Sequence, residues 1–375
     1  MEKKPKVIVG LSGGVDSAVS CIRLIEEGYD VEAMFMRNWD SALNNDLLGN
    51  PTVNDDVCPQ EVDYKDAKAV ADKLGIKLHR IDFIEEYWNN VFTYFINEYK
   101  ANRTPNPDIL CNKEIKFKAF LEHAFNMGAD YIAMGHYARV IHDGSKHYLL
   151  RGVDQNKDQS YFLSQLKSEQ IARALFPIGD MLKPDVRALA RKYELDIADK
   201  KDSTGVCFIG ERNFKEFLKN YIPASTGNIV DINGNIVGKH DGVMYYTIGQ
   251  RHGLKIGGPG EAWFVCGKRA KTNELIVAQG VDSDLLYANR VIVNKLNFIN
   301  EPPKSGTILT AKFRYRQADI KIIINWLDID KLEVRTFEKT KAITPGQACV
   351  FYDGEYCLGG GTIDEVYMDD IKREY

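Results

Sequence analysis

Apolar and polar positions follow two regimes along this chain. Up to about residue 213, short β-branched runs (KVIVGL from Lys6, VEAMFM from Val31, KLHRID from Lys77, DYIAMG from Asp130) alternate with stretches of helical period. Those stretches run Ser17 to Glu27, Val62 to Leu74, Glu85 to Tyr99 and Lys113 to Met127. This is the βαβ rhythm of a parallel sheet covered on both faces. Gly28, Gly75 and Gly128 each end a helical stretch and precede a strand, so each is predicted to be a left-handed C-terminal cap. Between Arg37 and Gln60 no apolar period exists and Asn and Asp abound, which predicts a long, mobile insertion serving the site.

The second regime begins near Phe214. After a short helix (FKEFLKNYI), Gly- and Asn-rich turns separate short extended runs, predicting a small β-rich domain over residues 214–284. From about Asn289 the runs RVIVNKLNF, GTILTAKFRYR, KIIINWLDI, KLEVRTF and ACVFYDGEYCLGGGTI alternate, with Asp353-Gly354 as a hairpin turn, and predict an antiparallel β-barrel over residues 285–375. The fold class is therefore α/β, with a parallel-sheet domain over residues 1–213 followed by two β domains. No internal repeat or low-complexity segment interrupts this order.

Composition narrows the function classes. A chain of 375 residues is long enough for two or three domains and a sizeable core. No apolar run reaches membrane-spanning length and the start MEKKPKVIVG does not resemble a signal peptide, so a cytoplasmic protein without a membrane partner is expected. The seven cysteines are too irregularly spaced for a disulfide framework, and no C-x-x-C pair suggests a zinc ribbon. The net charge of −4 supplies no global attraction to nucleic acid, so any RNA surface must be a local basic patch.

Candidate chemistry starts at GLSGGVDS, Gly10 to Ser17, between a strand and a helix. A Gly-Gly pair there lets backbone N–H groups turn toward an anion at the positive end of the helix, with the Ser12 and Ser17 hydroxyls as added donors. The lysine of a Walker loop is missing, and Asp16 sits in the loop instead, a sensible neighbour for phosphates if it helps hold Mg²⁺. The loop resembles the PP-loop of ATP pyrophosphatases, which implies ATP as substrate and pyrophosphate release. Two cysteines stand in charged flanks. Cys111, in RTPNPDILCNKEIKF, follows Asp108 and precedes Lys113, Lys116 and Lys118 at what reads as a helix start, a setting that favours thiolate. Cys207, in KKDSTGVCFIGERNF, lies beyond Lys200, Lys201 and Asp202, although Val206, Phe208 and Ile209 leave a plain core role open. KFRYR places Lys312, Arg314 and Arg316 on one strand face by period two, as a phosphate track would need; solvated edge charges are the bland alternative. Tyr315 falls on the opposite face.

Nine ordered motifs, GLSGGVDS, MRNWD, RTPNPDILCNKEIKF, MGHYAR, NKDQSYFL, KKDSTGVCFIGER, TIGQRHGL, FRYRQ and TPGQACVFY, together resemble the family of tRNA-uridine 2-sulfurtransferases, from about Val7 to about Gly361. The resemblance implies an adenine-nucleotide α-hydrolase-like first domain, with ATP held by Gly10, Leu11, Ser12, Gly13, Gly14, Val15, Asp16 and Ser17 and by Met36 and Gly135. It implies that Asn106, Pro107 and Asp108 meet the target base, and that Lys157, Asp158, Gln159, Arg314, Tyr315, His136 and Gln347 meet tRNA. Read on their own residues, Met36 could equally be strand core and His136 could cap a turn. The implied activity is 2-thiolation of the wobble uridine of Lys-, Glu- and Gln-type tRNAs. Uridine O2 is adenylated with loss of pyrophosphate; sulfur then arrives from a persulfide on Cys207, Cys111 frees it or closes a Cys111–Cys207 disulfide, and Asp108 handles a proton. A cysteine desulfurase or relay protein would supply the sulfur. An iron–sulfur cluster on Asp108, Cys111 and Cys207 is a less favoured route for the same sulfur. Two other classes stay in view: a PP-loop ligase for a small molecule, which needs neither two reactive cysteines nor a basic barrel, and a non-catalytic RNA-binding module, which needs no intact Asp16 and Ser17.

Overall fold

The computed structural model describes residues 4–55, 57–202, 205, 209–210, 212 and onward to 374. The four β-branched runs of the first regime form β1 (Lys6–Gly10), β2 (Asp30–Arg37), β3 (Leu78–Asp82) and β4 (Tyr131–Ala133), which a strand not expected from the sequence, β7 (Ala174–Leu175), extends to a five-stranded, all-parallel sheet in the order β3-β2-β1-β4-β7. Its central strand β1 is buried on both faces, with Val7 and Val9 in one apolar cluster and Ile8 in another. Helix α1 (Val15–Glu26) packs Val15, Ala18, Val19 and Ile22 into the first of these clusters, and α2 (Pro59–Leu74) adds Ala67, Val70 and Ala71. Gly28, Gly75 and Gly128 carry φ of 89°, 68° and 80°, the left-handed caps read from the sequence.

The segment between Arg37 and α2 departs from the expected mobile insertion. Among its described residues there is no helix or strand, yet Trp39, Asn38, Asn44, Asp46 and Asn50 are buried. Asp46 Oδ2 accepts from Trp39 Nε1 (3.0 Å) and from Arg212 Nε (2.9 Å) and Nη2 (2.7 Å), an ion pair almost wholly removed from water. The Asn and Asp side chains that looked like loop composition are the internal hydrogen-bonding groups of a packed turn structure.

The second regime gives a four-stranded sheet, β8 (Gly227–Val230), β9 (Ile236–His240), β10 (Trp263–Arg269) and β11 (Glu274–Gln279), in the order β10-β11-β8-β9. Strands β12 (Tyr287–Phe298), β13 (Ile308–Lys312), β14 (Ile320–Asp328), β15 (Lys331–Lys341), β16 (Ala348–Asp353) and β17 (Tyr356–Met368) then pair antiparallel in the order β12-β15-β14-β13-β16-β17, and β12–β17 pairing closes the barrel. The hairpin β5 (Ala138–Asp143) and β6 (Lys146–Arg151), early in the chain, does not join the parallel sheet. It extends the barrel sheet through β6–β17, with Leu149 opposite Cys357 and Leu150 opposite Tyr356.

Candidate active site

At the end of β1 the chain turns through Leu11 to Gly14 into α1. Gly13 takes φ +78°, and a Cβ there would lie 2.3 Å from the Asp63 carbonyl oxygen, so both conformation and space demand glycine. Gly14 is the N-cap and offers no side-chain cap, so the first-turn N–H groups of α1 stay open to an anion. Ser17 holds the loop's shape. Its Oγ accepts from Ser12 N (3.1 Å), lies 3.1 Å from Ser12 Oγ and donates to the Gly14 carbonyl (3.1 Å). Gly135 presses against the start of α1, where a Cβ would come within 2.8 Å of Ser17 N. Met36 is buried, its Cε 3.3 Å from where a Gly10 Cβ would stand, so it floors the loop; Leu11 and Val15 are core.

Charge around this loop is dense. The Asp16 carboxylate, in the first turn of α1, accepts from Lys183 Nζ at 2.8 Å on each oxygen and from the Tyr137 hydroxyl at 2.9 Å. Lys183 Nζ also lies 2.7 Å from Asp202 Oδ1, which faces Arg187 (3.1 Å), while Asp202 Oδ2 accepts from Lys157 (2.6 Å). Burial alone would raise the Asp202 carboxyl, but the bonds from Lys157 and Lys183 outweigh it and hold its pKa at about 2. Burial, with Asp16 beside it, drives the Tyr137 phenol far above its ordinary range. Lys200 ties the loop from behind, donating to the Gly13 carbonyl (3.1 Å), Asp63 (2.8 Å) and Asp66 (2.6 Å). Sequence reasoning missed Lys183 and Tyr137 as partners of Asp16. One signal existed for the lysine: in LKPDVR it opens a helix, where the dipole disfavours a cation.

The thiol-bearing segment differs from expectation in its register. The helix begins at Pro107 rather than Lys113, with Asn106 as N-cap accepting from Asp108 N (3.2 Å) and Ile109 N (3.4 Å). Cys111 then opens a π-helical stretch, Cys111–Ala119, that runs on as Phe120–Asn126. The Cys111 thiol is fully buried, in one apolar cluster with Ile109, Ile115 and Phe117, and the Lys118 ammonium is engaged by Glu114 (3.0 Å). The sulfur thus sits on the buried side of the helix, while the ammonium of Lys118 is held by Glu114. Cys207 lies outside the described residues.

Residues 102–105, which lead into Asn106, are gripped from both β domains. Gln347 Nε2 donates to the Thr104 (2.9 Å) and Pro105 (3.4 Å) carbonyls, Thr104 N donates to Pro345 O (2.9 Å), and Lys268 Nζ donates to Asn102 O (3.1 Å). Arg103 bonds Asp364 Oδ1 (2.9 Å), the Ile363 carbonyl (2.9 Å) and Glu98 (2.7 Å).

The expected alignment of Lys312, Arg314 and Arg316 on one strand face is corrected. Strand β13 ends at Lys312, and residues 313–316 form a turn, so the period-two argument fails at Arg314. Arg314 Nη2 faces inward onto the Ile248 carbonyl and Thr344 Oγ1, both at 2.7 Å, whereas Arg316 is exposed and Lys312 lies 4.0 Å from Asp319. Tyr315 packs its ring 4.3 Å from that of Phe162. Asp158 is buried and accepts from Gly152 N, Ser160 N and Ser160 Oγ; Gln159 Oε1 accepts from Tyr137 N. Both hold the turn that carries Lys157. His136 is buried between Phe117 and Phe176, and its Nδ1 has no hydrogen-bond partner among the described residues.

Comparison with known proteins agrees along the whole chain. A family model described as the tRNA methyl transferase HUP domain matches residues 5–211, one described as the tRNA methyl transferase PRC-barrel domain matches 215–279, and an aminomethyltransferase beta-barrel domain matches 288–363. The tRNA-specific 2-thiouridylase MnmA of Acholeplasma laidlawii (strain PG-8A) is 54% identical over 375 residues, covering 99% of this chain and 100% of that protein. The protein of that name from Listeria innocua is 54% identical over 371 residues, 99% of this chain and 97% of its own length. That from Bacillus thuringiensis (strain Al Hakam) is 52% identical over 379 residues, 100% of both. The chain belongs to the tRNA-specific 2-thiouridylase family.

Proposed function

We propose that this protein uses ATP to replace the O2 of the wobble uridine of tRNA by sulfur. The observation that carries the reading is the uncapped first turn of α1 under the Gly13-Gly14 turn, an opening for phosphates in a chain 54% identical to a 2-thiouridylase. The uridine O2 is a poor leaving group, so it first attacks the α-phosphorus of ATP and pyrophosphate departs. A Cys207 persulfide then attacks C2, and AMP leaves with the original oxygen. Attack of the Cys111 thiolate on the Cys207 sulfur breaks the S–S bond, leaves sulfur on the base and forms a Cys111–Cys207 disulfide, which a thiol reductant must reopen. Asp108, three residues before Cys111, is the group for the proton lost from the base or the thiol.

Among the described residues no group of three or more His, Cys, Asp or Glu side chains could hold a metal ion. Asp16, one carboxylate beside the phosphate opening, nevertheless suits Mg²⁺, which takes most of its ligands from nucleotide phosphates and water. Bound there, the ion would offset phosphate charge. The substrate is expected to be an unstacked anticodon base, because stacking hides O2. A cysteine desulfurase or relay protein would load Cys207.

The test is product analysis with tRNA, ATP and a sulfur donor. The expected products are AMP, pyrophosphate and 2-thiouridine, the last by nucleoside mass spectrometry. ADP with free phosphate, or an unmodified anticodon, would overturn the reading.

A further inference from the structure

The nucleotide loop lacks the lysine with which Walker loops meet phosphate, yet the fold delivers one from far along the chain. Lys183 is the first residue of the Lys183–Lys192 helix, and its backbone N–H is fixed by Asp154 Oδ2 at 3.0 Å. Its side chain is 10% exposed, and its ammonium stands over the first turn of α1, bonded to both Asp16 oxygens and to Asp202 Oδ1. We propose that Lys183 is the phosphate-binding cation of this site, giving up Asp202 to donate to the β- or γ-phosphate of ATP when the nucleotide enters.

Proton and charge counting support the exchange. An ammonium has three protons, and three carboxylate oxygens occupy them here, so a phosphate oxygen can be met only by releasing one. Asp202 is the partner that can be released at low cost. It keeps Lys157 at 2.6 Å and Arg187 at 3.1 Å, whereas Asp16 has only the Tyr137 hydroxyl besides Lys183 among the bonds described above. Lys183 also answers a question the loop raises. A carboxylate in the first turn of α1 would repel the phosphates that the helix dipole attracts, and an ammonium wedged against that carboxylate removes the conflict. Lys200 cannot serve this role, since its ammonium is turned to the Gly13 carbonyl and the two acids of α2.

The inference rests on the reading that this loop binds ATP, and binding measurements on the full chain separate the two. Dissociation constants for ATP and AMP are compared in wild type, Lys183→Met, Lys183→Arg and Asp202→Asn. A hydrogen bond to a charged group predicts that Lys183→Met weakens ATP by about 10- to 100-fold. AMP, which has neither a β- nor a γ-phosphate, should bind within about twofold of wild type by the same reasoning. Lys183→Arg should fall between, and Asp202→Asn should tighten ATP several-fold by removing the competing acceptor. Undiminished ATP affinity in Lys183→Met, or equal loss of ATP and AMP, would overturn the proposal and reduce the lysine to a structural tie between helices. Should Lys183→Met not fold, Asp202→Asn decides: unchanged or weaker ATP binding defeats it. If wild type itself binds ATP no tighter than AMP, the reading of the loop fails instead.

Discussion

A single methyl group at residue 135 is enough to test how tightly the nucleotide loop is built. The Cβ of Gly135→Ala would stand 2.8 Å from Ser17 N and 2.9 Å from the Asp16 carbonyl carbon, both backbone, so α1 or the loop after β4 must shift. Overpacking of this kind costs about 1–3 kcal/mol. The variant should show a matching drop in denaturant midpoint together with loss of ATP binding; a stable variant that binds ATP normally would mean the loop yields more easily than its contacts imply. His136, the next residue, tests the same wall by pH. Burial first, and then the nearby Lys116, push its imidazole well below 6.5, so the folded state holds it neutral while the unfolded chain takes a proton below about pH 6.5. The unfolded state then binds more protons, and stability falls as pH falls through 6.5, by about 1.4 kcal/mol per pH unit until the folded ring itself protonates. His136→Phe keeps the volume between Phe117 and Phe176 and should flatten this part of the profile between pH 7.5 and 5.5. An identical slope in the variant would assign the acid sensitivity to other groups.

At the scale of elements, legibility followed the range of the forces involved. Four of the five parallel strands, α1 and α2 and the glycine caps could be read because apolar period and left-handed φ are local properties, and the loop before α1 because only glycine fits at Gly13. What could not be read was set by partners distant in sequence. Lys183 meets Asp16 across 167 positions, and Arg314 leaves the expected strand face to meet the Ile248 carbonyl because β13 stops two residues before it. Cys111 has a polar sequence neighbourhood yet is buried in an apolar cluster, since the helix starts early enough to turn it inward. The segment after β2 misled in the opposite sense, its polar residues being buried donors and acceptors. Asp46 makes that claim testable. Removing one partner of a buried ion pair costs about 3–5 kcal/mol, so Asp46→Ala should lower the melting temperature markedly and open residues 37–55 to proteolysis. A variant as stable and protease-resistant as wild type would return that segment to the class of loose surface loops.

At the scale of the whole molecule, the barrel and the parallel-sheet region are stitched together on either side of the thiol segment. The β5–β6 hairpin enters the barrel sheet beside β17, the Arg151 guanidinium lies 3.7 Å from the ring centre of Tyr352, and Arg103 and Gln347 join residues 103–105 to the barrel. Gln347 is where the structure and the inherited expectation lead to different experiments. The resemblance gives it a contact with tRNA, whereas its amide here holds the Thr104 and Pro105 carbonyls just ahead of Asn106, Asp108 and Cys111. If the second role governs, Gln347→Ala removes two hydrogen bonds, each contributing about 1 kcal/mol, to the peptide that leads into the Asn106–Asp108 turn. The expected result is tRNA affinity and ATP affinity within about twofold of wild type and a single-turnover thiolation rate lower by about tenfold, as a lost positioning contact produces. If the first role governs, the loss falls on the tRNA dissociation constant while the rate at saturating tRNA is preserved. Measuring both constants on one variant decides whether the barrel reads the substrate at this residue or sets the geometry of the site from behind it.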